Sequence, residues 1–98
     1  KSVGHACECE TAMMQALRPD LVRQAEIRND LRAMHQPPEL RGVFVAPDMK
    51  AQTEQGGVGY AELATAEKGQ RLLEAIVARL VEVIQAIRRK PNPTENPI

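Results

Sequence analysis

Gly4-His5-Ala6-Cys7-Glu8-Cys9-Glu10-Thr11, running straight into Ala12-Met13-Met14-Gln15-Ala16-Leu17, is the stretch on which the reading of this 98-residue chain turns. It sets an imidazole, two thiols and two carboxylates at the mouth of a short apolar helix, predicted over residues 8–17. Pro19 stops that helix and disfavours helical geometry at Arg18. At about 100° per residue, Glu10 projects between Met13, Met14 and Leu17, while Glu8 points the other way. A carboxylate carried into a core must find a partner or give up its charge. Glu10 is therefore predicted to be largely buried and Glu8 exposed, with His5 as the natural neighbour of Glu10.

Working outward, Leu21 to Ile27 suggests a turn followed by a short extended piece, and Gln36-Pro37-Pro38 breaks the chain. Val43-Phe44-Val45, between Gly42 and Pro47, is the best strand candidate. Asp48 to Gly59 is polar and glycine-rich and reads as a loop. A second helix is predicted over residues 66–88. Thr65 is its N-cap, Glu67 lies in its first turn, and Arg88, Arg89 and Lys90 lie at its end before Pro91. Gly69, Leu72, Leu73, Ile76, Leu80, Val83, Ile84 and Ile87 form one stripe along about 36 Å of helix. Gly69 costs about 1 kcal/mol inside a helix, which points to close backbone packing there. Residues 91–98 carry three prolines and no apolar pattern and are expected to form a disordered tail.

Composition bounds the rest. Thirteen basic and thirteen acidic residues leave no net charge to draw nucleic acid or an anionic membrane. No apolar run is long enough to span a bilayer. Two cysteines one residue apart are poorly spaced for a bridge, so a reduced, cytoplasmic setting is expected. Phe44 and Tyr60 are the only aromatics, the chain starts at Lys1, and nearly fifty residues between the helices lack periodicity. These features suggest part of a larger domain, in which that middle stretch wraps a neighbour and lines a site.

Two constellations carry chemistry. His5, Cys7 and Cys9, with His35 as a fourth ligand, would make a zinc site, but the helix separates the two thiols by about 200°, and structural zinc sites space cysteine pairs more widely. Small half-buried thiols at a helix start are the favoured reading. His5 with Glu10 is the better pair. The helix dipole favours the neutral ring and a nearby carboxylate the charged one, which suits a general acid–base. A capping histidine with Glu10 bonded to backbone explains the same residues equally well.

The same segment resembles the creatininase family of amidohydrolases, whose members carry a His-Ala/Gly-Gly-x-x-Glu-Thr-Ser stretch entering a helix, then a Leu-Arg-Pro-Asp/Glu-Leu-Val element. Here the matching residues are His5, Ala6, Glu10 and Thr11, then Leu17-Arg18-Pro19-Asp20-Leu21-Val22. Further on, Gly57-Val58-Gly59 leads into Ala64-Thr65-Ala66-Glu67-Lys68-Gly69 and a long amphipathic helix, as in the family. Cys7 stands where the family usually has Gly, and Ala12 where it usually has Ser. Val3-Gly4 replaces the bulky and acidic residues that creatininase itself carries before the histidine, which points away from creatinine as substrate.

The resemblance implies an α/β fold, a three-layer α/β/α sandwich. Residues 1–90 would be its C-terminal portion, mostly two helices plus a long irregular segment, completed by the N-terminal part of the same domain and assembled as a homo-oligomer, a hexamer. It implies a metal-dependent hydrolase acting on a C–N or ring bond of a small cyclic substrate. Zinc or manganese would occupy a two-metal site whose ligands lie upstream of this chain. By the same resemblance the catalytic residues are His5, as proton donor to the leaving group, and Glu10 behind it. A non-catalytic scaffold that keeps the fold as an assembly surface is the alternative.

Overall fold

The computed structural model describes residues 4–35, 37–43, 45 and 48–92. Helix α1 covers Glu8–Leu17, a single turn α2 covers Met49–Gln52, and the long helix α3 covers Ala66–Arg89. Both long helices fall where capping and periodicity place them. Arg18, ahead of Pro19, leaves helical geometry and closes α1 by donating its N–H to the Met14 carbonyl. The Thr65 hydroxyl caps α3 by accepting from the Lys68 N–H at 3.2 Å.

Between the helices run 3₁₀ turns at Pro19–Leu21, Gln24–Glu26, Arg32–Met34, Pro38–Leu40 and Ala61–Leu63. The short extended piece expected after Leu21 is instead the turn Gln24–Glu26. The loop expected over 48–59 contains α2, capped by the Asp48 carboxylate on the Lys50 N–H. Val43 and Val45 are exposed and not in a strand. Phe44 between them, and residues 93–98 of the expected tail, lie outside the described residues.

Among the described residues the chain is mostly helical, and extended pairing is limited to two isolated antiparallel bridges. His5 exchanges two backbone hydrogen bonds with Val58 (2.9 and 2.7 Å), and Asp30 exchanges two with Gly59 (3.0 and 2.7 Å). Adjacent residues 58 and 59 thus bind the entry to α1 to the middle segment. The approach needs glycine. A side chain on Gly4 would run into the Val58 carbonyl, and one on Gly59, which has φ +126°, would meet Cys7 Cβ at 2.8 Å.

The two long helices pack on each other through small residues. Ala12 is fully buried, and a Cβ on Gly69 would fall within the Ala12 carbonyl group, so the two backbones touch. That is the close packing expected of Gly69. Lys68 adds a polar tie, its Nζ donating to Glu8 Oε1 (2.9 Å) and to the Leu63 carbonyl (2.7 Å).

Beyond this junction little is enclosed. Buried apolar residues are Cys7, Ala12, Val58, Ala61 and Ala64, and no large side chain is fully buried among the described residues. The radius of gyration is 18.7 Å, against about 13 Å for a compact chain of this length.

The burial of the two acids in α1 is the reverse of the sequence expectation. Glu10 is exposed and Glu8 is half-buried against Lys68. The reason is which face α1 buries. It docks through Ala12 and Gln15, while Met14 and Leu17 are 40% and 60% exposed. Close approach at Gly69 decides the orientation, and the larger apolar stripe is left on the outside of this chain.

Candidate active site at the mouth of the first helix

Helix α1 begins at a strained corner. Ala6 has φ +48°, the left-handed region, which disfavours a residue bearing a Cβ by about 1–2 kcal/mol. Two side chains from the first turn of α1 hold it there. The Ala6 N–H donates to Glu10 Oε1 at 2.8 Å, and the Thr11 hydroxyl donates to the Ala6 carbonyl at 3.3 Å. Glu10 thus reaches back from the third helical position, as the acid of a capping box does, but to the residue before the N-cap. Cys7, the N-cap itself, makes no side-chain cap; the residue is buried and its Sγ accepts from the Gly4 N–H at 3.3 Å.

His5 and Glu10 therefore lie on either side of one peptide corner, and the bond Glu10 makes is to backbone. That is the capping reading, as far as the carboxylate is concerned. The His5 backbone is fixed by Val58 and its residue is exposed. Cys9 is half-buried, and His35 is exposed at the end of the Arg32–Met34 turn. Among the described residues, no group of three or more His, Cys, Asp or Glu is placed to hold a metal ion. The described residues thus do not fit a two-metal site.

The corner opens onto a groove of about 820 Å³, of the size small-molecule sites have. It is lined by Ala6, Glu10 and Thr11 from the start of α1, by the apolar Met14, Leu21 and Ile27, and by Arg28 and Gln55; His5 is not among the residues lining either groove. A second groove of about 600 Å³ shares Ala6, Thr11, Ile27, Arg28 and Gln55 and continues along residues 29–32.

The second groove is lined by Asn29, Asp30, Arg32 and Glu54, which the sequence pattern does not single out. Asn29 Oδ1 accepts from the Glu62 N–H (2.9 Å), and Asp30 Oδ2 accepts from the Glu54 N–H (3.1 Å). That Glu54 N–H, followed by Arg32, which bonds Asp30 Oδ1 at 3.1 Å, holds the Asp30 carboxyl below the usual carboxylate range. The stability it adds is complete above the unfolded value of about 3.9 and is lost as pH falls through the lowered folded value. Thr53, buried, donates to the Gly57 carbonyl at 2.5 Å and accepts from the Gly56 N–H at 3.1 Å. A polar Asn29-Asp30 pair between Ile27 and Leu31 was the available signal: short polar side chains that bond backbone.

At the end of α1 the Arg18 guanidinium grips Asp20 with two bonds (2.9 and 2.6 Å). The pairing lowers the Asp20 carboxyl and raises the Arg18 guanidinium. Both are exposed, so the pair orders the turn more than it stabilises the fold.

Residues 1–84 match the family profile described as creatininase, creatinine amidohydrolase. The chain belongs to the creatininase family. The match spans both the corner at His5 and the Thr65–Gly69 cap of α3, the two places where this structure is tightest. Membership in the creatininase family points to hydrolase chemistry of the amidohydrolase kind. No curated protein and no solved structure gives a significant match. Among the described residues no helix is long and apolar enough to cross a membrane.

Proposed function

We propose that this chain is the C-terminal part of a creatininase-like amidohydrolase that cleaves a C–N or ring bond of a small cyclic substrate. The domain is the α/β/α sandwich of the family, completed by its N-terminal part and assembled as a homo-oligomer in the cytoplasm. Zinc or manganese is held by residues outside this chain. The observation that carries the reading is the match to the creatininase profile, together with the Ala6, Glu10 and Thr11 corner on the wall of a groove of small-molecule size.

His5 is the proton donor to the departing nitrogen. It is an exposed imidazole whose backbone is pinned on one side by Val58 and on the other by the strained Ala6 peptide. Imidazole is the side chain most often used to hand a proton to a leaving group. Glu10 acts through the backbone. By holding the Ala6 N–H it fixes the direction in which the chain leaves His5, so it is a positioning residue.

The test is His5→Ala in the full-length protein, assayed on a panel of cyclic amides with metal measured on the same samples. Turnover is expected to fall about 10²–10⁴-fold with metal content intact. Unchanged kcat on every accepted substrate would support the scaffold alternative instead.

A further inference from the structure

Arg28 lines both grooves. Arg18, Arg23, Arg32, Arg71 and Arg79 each pair with a carboxylate. Among the described residues Arg28 has none within ion-pair distance. Its Nη1 instead donates to two backbone carbonyls, Ala25 at 3.0 Å and Ile27 at 2.7 Å. These two bonds anchor one end of the guanidinium and, among the described residues, leave the Nε–Nη2 edge without a partner. That edge is the one a carboxylate takes with two parallel hydrogen bonds. A guanidinium already held by the backbone loses less freedom when a ligand arrives.

The charges around it give the groove a direction. Glu10 and Glu26 line the first groove, and the second adds Asp30 and Glu54, both paired with Arg32. Glu26 is paired with Arg23 Nε at 3.0 Å, and Glu10 is bonded to the Ala6 N–H beside His5. Met14, Leu21, Val22 and Ile27 line the same groove as Glu10 and Arg28, an apolar surface suited to the flat side of a small ring. An apolar lining and a guanidinium with one edge free of partners among the described residues suit a ring that carries its own carboxylate.

We propose that Arg28 binds the carboxylate of an anionic cyclic amide, so that the substrate of this enzyme is an acid. The inference rests on the amidohydrolase reading for the reaction, but the anion site is tested by binding alone. The probes are hydantoin-5-acetate and its neutral counterpart hydantoin-5-acetamide, titrated calorimetrically into the full-length protein. Wild type is expected to bind the acetate about ten- to a hundredfold more tightly than the amide, the worth of a hydrogen-bonded charge pair. Arg28→Gln should lose that preference and keep its affinity for the amide. Arg28→Lys should retain only part of it, since an ammonium cannot grip a carboxylate with a planar fork. Equal binding of the two probes by wild type, no binding of the acetate at millimolar concentration, or a preference that survives in Arg28→Gln would overturn the proposal. Preferential binding of the acetate, lost in Arg28→Gln, with no hydrolysis of any cyclic amide supports the anion site and counts against the amidohydrolase reading alone.

Discussion

Helix α3 is two different objects along its length. Its first turns, from Thr65 to Gly69, are capped, salt-bridged to Glu8 and in backbone contact with Ala12. From Ile76 onward it carries Ile76, Val77, Leu80, Val81, Ile84 and Ile87, each between 43% and 65% exposed. The half with little apolar area is tightly specified, and the half with much of it is bare. Steric fit between glycine and alanine, reinforced by polar bonds to backbone, is enough to orient two helices. Large aliphatic side chains contribute only what covers them.

The sharpest way to break the contrast is Gly69→Ala. In an exposed helix the change is favourable by about 1 kcal/mol. Here the new methyl would fall within the Ala12 carbonyl group, so one backbone has to move. We expect a loss of about 3 kcal/mol in urea unfolding, with the helices separated. Ala78→Gly, in the exposed second half, should cost only about 1 kcal/mol.

Gly69 also shows what the sequence made legible. A glycine inside a strong helical stripe announces close approach, and Thr65 and Pro19 announce ends, because both signals are local steric or hydrogen-bonding facts. The orientation of α1 was not legible. Met13, Met14 and Leu17 outweigh Ala12 in any apolar count, yet Ala12 is the residue that fits against Gly69. Which face is buried depends on a partner fifty-seven positions away. For the same reason the His5 and Glu10 pairing could be read two ways. Only the left-handed Ala6 peptide shows that the carboxylate serves backbone. The roles of Asn29 and Asp30 were not legible because their bonds go to Glu62 and Glu54, far along the chain, and Arg28 matters only through the grooves it lines.

A smaller effect separates the steric from the electrostatic part of the junction. Glu8 and Lys68 are bridged at 2.9 Å, with side chains 29% and 48% exposed. Solvent screens such a pair, so a double-mutant cycle of Glu8→Gln and Lys68→Met should give a coupling of about 0.5–1 kcal/mol, shrinking toward zero in molar salt. A coupling that persisted in salt would mean that packing of the lysine stem, not charge, carries the tie.

The smallest effect is expected where hydrophobicity is greatest. Ile84 is 55% exposed in this chain. Deleting a buried aliphatic side chain costs about 2–5 kcal/mol, because contacts are lost and a cavity remains. A side chain with no cover has few contacts to lose and leaves no cavity. Ile84→Ser in the 98-residue chain should therefore change unfolding free energy by no more than about 0.5 kcal/mol. Serine lowers helix propensity only slightly against isoleucine, so that term does not mask the result. The measurement is run at two protein concentrations tenfold apart. If the cost instead approaches about 2 kcal/mol and the midpoint rises with concentration, the face is covered by a second copy in solution. If the cost is that large and independent of concentration, the second half of α3 folds back on its own chain. The division of the helix into a fitted half and a bare one would then be wrong.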